Sequence, residues 1–286
     1  MRRRWWLNAG LLMLVAVLAA FAWWAGFDPA GKTLLEGDAG GVSSVVIQRR
    51  DRENVRLRRE DGNWWLEAPH RLPASDFHVE QLLKVAADRS LGNYDAGEME
   101  PERLGLDPPR ARLQLDHTEV LFGDSDAVDG LRYVSVGGRI HLVQDRVMPL
   151  LEGPWWNFID RRIVPPHRRL QAVETEHYRL WLDPGGWSLA GTDAGNGPAI
   201  GADDMAEVWH QAAAMVVREV RREPDREQTL RFTFENGEER RFRHASEDGE
   251  YRLVDLDRGL AYVFDAASMT VLLEGREPPT QDPPIE

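Results

Sequence analysis

Two distant segments of this chain align without a gap, and that repetition constrains the fold more than any other feature. Val55-Arg-Leu-Arg-Arg-Glu-Asp-Gly-Asn-Trp-Trp-Leu66 matches Tyr178-Arg-Leu-Trp-Leu-Asp-Pro-Gly-Gly-Trp-Ser-Leu189 at Arg56/Arg179, Leu57/Leu180, Gly62/Gly185, Trp64/Trp187 and Leu66/Leu189. Each segment reads as a strand, a glycine-centred tight turn and a returning strand. A polar loop and an acidic helix start follow both. Ser75-Asp76 precedes Phe77, Val79, Leu82, Leu83 and Ala86, and Asp203-Asp204 precedes Met205, Val208, Trp209, Ala212 and Met215. These spacings predict one apolar helix face behind a polar N-cap.

The remainder of each copy is rich in short strands. Ala111–Leu115, Val120–Phe122, Leu131–Val136 and Ile140–Val143 fill the first, and Leu230–Phe234, Arg240–Arg243, Tyr251–Asp255 and Ala261–Phe264 the second. Both copies close on Leu-Leu-Glu-Gly, at 150–153 and 272–275. The pattern predicts an α+β fold of two duplicated β-β-α-β-meander units with mostly antiparallel sheets. The units are expected at 42–153 and 170–275, joined by a connection at 154–169 that packs rather than dangles, because it carries Trp155-Trp156. A spacer at 28–41 precedes them, and a Pro-rich tail at 276–286 is expected to be disordered.

The first 27 residues have a different character. Arg2, Arg3 and Arg4 are followed by Trp5-Trp6, an apolar run from Leu7 to Ala22, and Trp23-Trp24. As a helix, Trp6 and Trp23 would stand about 26 Å apart, close to the roughly 30 Å hydrocarbon core of a bilayer. Tryptophan favours the headgroup level and arginine the cytoplasmic side. The expectation is a single transmembrane helix contacting lipid through residues 5–25, with a cytoplasmic N-terminus and a periplasmic main domain in a bacterial inner membrane. The alternative is a secretion signal cleaved after Ala22, and either reading exports the rest.

Formal charge disfavours one class of partner. The chain carries −13, of which the first 27 residues contribute +3, leaving −16 for the remainder. Such acidity opposes nucleic-acid binding. With no cysteine, disulfides and thiolate chemistry are excluded. The eight histidines form no metal-spaced pair, no Gly-x-Ser-x-Gly elbow occurs, and Gly195-Asn196-Gly197 lacks the lysine of a phosphate loop. Gly123-Asp124-Ser125-Asp126 resembles a lipase block without a partnered histidine, and the carboxylates Asp124, Asp126 and Asp129 read as a turn rather than a calcium loop. No catalytic residue, metal ligand or cofactor is nominated.

Leu104-Gly105-Leu106-Asp107-Pro108-Pro109, then Phe122-Gly123 and Arg132-Tyr133-Val134, together with the upstream Trp65-Leu66-Glu67-Ala68-Pro69 and Asp76, carry a resemblance. The segment Val42–Leu151 resembles the bacterial domain-of-unknown-function 4340 family. The second unit keeps Trp187 and Leu189 but lacks the Gly-Leu-Asp-Pro turn. The resemblance implies structural roles for Trp65, Pro69, Gly105, Leu106, Asp107, Pro108, Gly123, Tyr133 and Trp187. It also implies a single-span, periplasm-facing protein auxiliary to a gliding-motility-type ABC transporter. The function expected is a non-enzymatic accessory or scaffold protein with a membrane or periplasmic protein partner. The alternative is a ligand- or glycan-binding module using exposed Trp pairs.

Overall fold

Short runs in which buried and exposed residues alternate make strands the dominant element of the computed structural model, which describes residues 13, 15–17, 33–34, 39–191, 198–220 and 229–276. Strands β1 (Ser44–Arg49), β2 (Arg52–Glu60), β3 (Asn63–Ala68) and β4 (Leu72–Pro73) precede helix α1 (Asp76–Lys84). Then come β5 (Gly92–Asp95), β6 (Ala111–Leu115), β7 (Thr118–Ser125), β8 (Arg132–Val136), β9 (Arg139–Val143) and the short α2 (Met148–Glu152). The rest comprises β10 (Leu170–Glu174), β11 (Arg179–Asp183), β12 (Gly186–Ala190), α3 (Ala202–Gln211), β13 (Val216–Glu219), β14 (Thr229–Phe234), β15 (Glu239–Glu247), β16 (Glu250–Asp255), β17 (Leu260–Phe264) and α4 (Ala266–Glu274). The chain therefore builds mostly antiparallel sheets with few helices. It divides into two compact units, residues 1–42 with 82–148 and residues 43–81 with 149–286.

In the first unit the strands run in the order β6-β7-β8-β9-β5, each neighbouring pair antiparallel. Leu113, Leu115, Val120, Phe122, Val134 and Ile140 fill its interior. Two glycines are required by close approach. Gly105 ends a tight helical turn at φ +66, where a Cβ would lie 2.6 Å from Asp124 Oδ2. A Cβ on Gly123 would lie 2.2 Å from the Leu104 carbonyl oxygen. The Gly105 turn and strand β7 thus touch backbone to backbone, with Leu106 buried beneath. Leu34 is buried in this unit as well, its amide donating to the Asp88 carbonyl at 2.9 Å.

In the second unit β1 to β4 form an antiparallel ladder. The β2–β3 hairpin turns on Asp61-Gly62 with φ +48 and +85, the two positive angles that match the twist of a two-residue hairpin. Eight further strands run in the order β12-β11-β10-β14-β15-β16-β17-β13. Trp209, Phe232, Phe242 and Tyr262 meet edge to face in series across it, with centroids 4.9, 5.2 and 5.9 Å apart. Such contacts add roughly 0.5–1.5 kcal/mol each beyond area burial.

The segment 154–169 packs within the second unit. Trp155, Phe158, Ile159, Ile163 and Val164 are buried. Its backbone is bonded as well, Ile163 N–H to the Ala212 carbonyl at 3.2 Å and Ala214 N–H to the Arg161 carbonyl at 2.9 Å.

Two expected helix faces differ from those found. Helix α3 is capped by Gly201, with Asp203 and Asp204 in its first turn rather than at the cap. It ends at Gln211, where Ala212 turns to extended backbone at ψ 102 and its carbonyl accepts from the Ile163 amide. Ala212 and Met215 therefore lie beyond it, and Met215 is exposed. In α1 the buried set is Val79 and Leu82, while Phe77 is exposed.

Of the expected transmembrane stretch, only Met13 and residues 15–17 are described, as helical and exposed. The anchor residues Arg2, Arg3, Arg4, Trp5, Trp6, Trp23 and Trp24 lie outside the described residues, as do 277–286. Among the described residues no helix is long and apolar enough to cross a membrane.

Candidate functional site

Both helices of the second unit's sheet expose part of an apolar face, and between them lies a groove of ≈ 430 Å³. Helix α3 forms behind Gly201 with Asp203 and Asp204 at its positive end, where carboxylates are favourable. Met205, Ala206 and Trp209 are buried, which leaves the neighbouring Val208 and Gln211 facing the groove, with Ala212 lining it just past the helix end. Helix α4 starts at Asp265, whose carboxylate accepts the Ser268 amide at 2.8 Å and the Ser268 hydroxyl at 2.7 Å. It stops at Gly275, left-handed at φ +64. Met269 is buried with Leu272, while Ala267, Ser268 and Val271 line the groove. Phe264, at the end of β17, forms part of its lining.

A buried hydrogen-bonded strut links the two helices. The Trp209 indole N–H donates to the Tyr178 hydroxyl at 2.8 Å, and that hydroxyl donates to the Leu272 carbonyl at 2.7 Å. Beside it, the Thr175 hydroxyl reaches the Leu273 carbonyl at 3.3 Å. The last carbonyls of a helix have no partner within it, so the turn at 175–178 closes the end of α4 and holds α3 at the same time. Burial pushes the Tyr178 phenol far above its ordinary value, against a smaller downward pull from the indole donor. The hydroxyl therefore stays protonated, as its bond to Leu272 requires.

The groove rim is acidic. Asp204 and Glu207, one turn before Val208 and Gln211 on α3, are exposed, and neither is ion-paired among the described residues. Glu207 accepts only a side-chain bond from Gln211 at 2.5 Å. Asp265 is exposed at the start of α4, held below the usual carboxylate range by the Ser268 amide and hydroxyl. Arg161 approaches from the Met215 end, donating to the Met215 carbonyl at 2.7 Å. Met215 and Val216 are 56% and 42% exposed beside the groove.

A second concavity of this unit, lined by Arg162, Arg168, Arg240, Arg258 and Tyr262 among others, holds ≈ 20 Å³, room for about one water. Its arginines are engaged. Arg240 donates to Asp255 at 2.8 Å and to the Ile163 carbonyl at 3.0 Å, Arg258 donates to Asp255 at 3.0 Å, and Arg162 forks onto Asp160. This cluster ties the 154–169 segment to the sheet. In the first unit a cleft of ≈ 340 Å³ is lined by Asp88, Arg89 and Arg146 among others, and burial raises the Asp88 carboxyl against the pull of Arg146.

The residues singled out from sequence are dispersed. Gly105, Leu106 and Gly123 meet in the first unit, where Asp107 and Pro108 are exposed. There Tyr133 donates to Asp126 at 3.4 Å. Asp126 also accepts the amides of Val128 and Asp129, and Asp124 pairs with Arg110 at 2.6 Å, so these carboxylates serve a turn. Trp65 packs against His167 and Arg71. Pro69 follows it, and Trp187 is half-buried in β12. Both Trp pairs among the described residues are split, with Trp64 and Trp155 buried and Trp65 and Trp156 half-buried, so neither presents two open ring faces. Val208 and Trp209 fall on the apolar helix face that the sequence predicts, whereas the sequence pattern predicts neither a linking role for Tyr178 nor helix α4. The available signal was Asp265 three residues before Ser268 after an apolar strand.

Residues 64–231 match the family model described as a domain of unknown function (DUF4340). The match starts in the first hairpin and runs through α3 into β14. Among curated proteins none matches the chain.

Proposed function

Taking as premise that this chain belongs to the DUF4340 family, we propose that it is a membrane-anchored periplasmic accessory or scaffold protein without catalytic activity. It acts by holding another protein in the groove between α3 and α4. The groove is the observation that carries this reading: an open apolar surface whose two walls are locked at fixed spacing by Tyr178. Rigid presentation of apolar side chains lowers the ordering cost of binding. A bilayer tether raises the effective concentration of the domain for other membrane proteins.

The anchor is supported by Arg2–Arg4 and the two Trp pairs, and the ABC-transporter association by the family resemblance. Duplication is supported by the matching hairpins β2–β3 and β11–β12, by the meanders β6–β9 and β14–β17, and by Leu-Leu-Glu-Gly at the ends of α2 and α4.

The chain has no cysteine, so a single introduced thiol is a unique handle. Ala267→Cys in the groove, carrying a maleimide photo-crosslinker, should give a discrete protein adduct in native membranes, while His117→Cys on an exposed turn should not. Equal adducts at both sites, or none at Ala267→Cys, would overturn the proposal. Protection of His117→Cys, exposed and outside the groove, from a membrane-impermeant maleimide in outer-membrane-permeabilised cells would overturn the periplasmic placement.

A further inference from the structure

We infer that the occupant of the groove is a basic amphipathic helix of a partner protein, one that sets apolar side chains between α3 and α4 and lysines or arginines against the acidic rim. The inference rests on the groove being a contact surface at all.

Three observations specify the chemistry. The walls are two helices whose lining residues recur at helical spacing, Val208 with Gln211, and Ala267 with Ser268 and Val271. Such walls accept a third helix laid between them, read as apolar anchors at i, i+3 and i+4. The floor is apolar, with Phe264 and Leu272, and none of the nine lining residues is charged. Asp204 and Glu207 lie on the α3 stripe that continues Val208 and Gln211, and Asp265 heads α4. None of the three is ion-paired among the described residues. A helix seated here with acidic flanks would face uncompensated like charge, whereas lysines would complete the rim.

The same rim disfavours an anionic lipid surface, which attracts basic segments and repels acidic ones. A second copy of this acidic chain meets the same repulsion. The −16 of residues 28–286 steers a cationic partner from a distance in the same direction.

The test uses the full chain in nanodiscs of zwitterionic lipid and three fluorescent helical peptides of about 14 residues, or four turns. They share one leucine pattern and carry lysine, glutamine or glutamate on the flanks. In anisotropy at moderate salt the lysine peptide should bind about tenfold tighter than the glutamine peptide, as expected of two or three exposed pairs worth a few-fold each. Val271→Asp, at a half-exposed position, should abolish binding without changing the melting temperature. Asp204→Lys with Glu207→Lys should transfer the preference to the glutamate peptide.

Equal binding of all three peptides, abolished by Val271→Asp, would leave the groove as a contact surface and overturn its preference for basic partners. Binding of the lysine peptide unaffected by Val271→Asp would also overturn the inference, as adhesion to a generally acidic surface. If no peptide binds and the groove crosslinks no protein, both readings fail. Self-association of the chain lost in Val271→Asp, or binding to anionic vesicles through the groove, would replace the partner helix by a second copy or by lipid.

Discussion

Tyr178→Phe removes one oxygen atom and keeps the shape of the core. That oxygen accepts from Trp209, which is fully buried, and donates to the carbonyl of Leu272. Without it an indole N–H and a terminal helix carbonyl are both buried without a partner, each costing about 1–3 kcal/mol. Some relaxation is available at the end of α4, where the Thr175 hydroxyl lies within reach of the neighbouring Leu273 carbonyl. A loss of about 2–4 kcal/mol follows, near the lower end of that sum. For a unit of this size each kcal/mol shifts the midpoint by about 2–4 °C, so thermal unfolding should move down by roughly 4–16 °C. Calorimetry of the full chain is the assay, and the shift should be confined to the transition of the unit that contains Tyr178.

A second readout follows from the phenol itself. Its folded pKa lies above the ordinary value of 10.0, so the folded state holds its proton more tightly than the unfolded chain. That contribution is fully present below pH 10 and is lost as pH rises toward the folded value. Burial raises the Tyr262 phenol as well. The alkaline decline of wild-type stability should therefore be shallower in Tyr178→Phe but not absent. A midpoint within 1 °C of wild type, with an unchanged alkaline slope, would refute the strut.

Asp255→Asn should cost about 3–5 kcal/mol, because it leaves the buried Arg240 guanidinium without its counter-charge. Replacing both partners, as Arg240→Met with Asp255→Leu, should recover much of that loss in a denaturant titration. Gly123→Ala should cost about 1–3 kcal/mol or more through overpacking, since its Cβ would collide with the Leu104 carbonyl; a neutral melt would contradict the close approach. Burial lowers the pKa of His78, His141, His167 and His244 from 6.5, each helped by a nearby arginine except His244, where Glu176 opposes. The unfolded chain then takes up protons first as pH falls. Stability should be flat above about pH 7 and decline below about 6.5. Melting curves between pH 7.5 and 5.5 check this, and His141→Gln should reduce the slope.

Local pattern made the hairpins and meanders legible. Asp61-Gly62 and the alternation of Val55, Leu57, Trp64 and Leu66 specify a turn and a buried face whatever surrounds them. The Gly105-Leu106-Asp107-Pro108 turn and Gly123 were legible as a family motif, and they lie within residues 64–231, which match the family model. What the motif accomplishes was not: Gly123 is required by the Leu104 oxygen, an atom nineteen positions earlier, and no local rule reports that distance. The Trp pairs illustrate the same limit. Period-two alternation puts Trp64 and Trp65 on opposite faces, yet what Trp65 meets, His167 and Arg71, depends on where the 154–169 segment folds back.

The amino-acid sequence by itself determined the antiparallel hairpins, the family motif and the acidic, cysteine-free character of the chain, because these follow from period, turn residues and charge within a few positions. The tertiary structure alone decided the groove. Val208 and Val271 are remote in sequence, and their common surface exists because Tyr178, from a third element, donates to one helix and accepts from the other. Hydrogen bonds of that kind are satisfied in space, and the order of residues along the chain does not encode their partners.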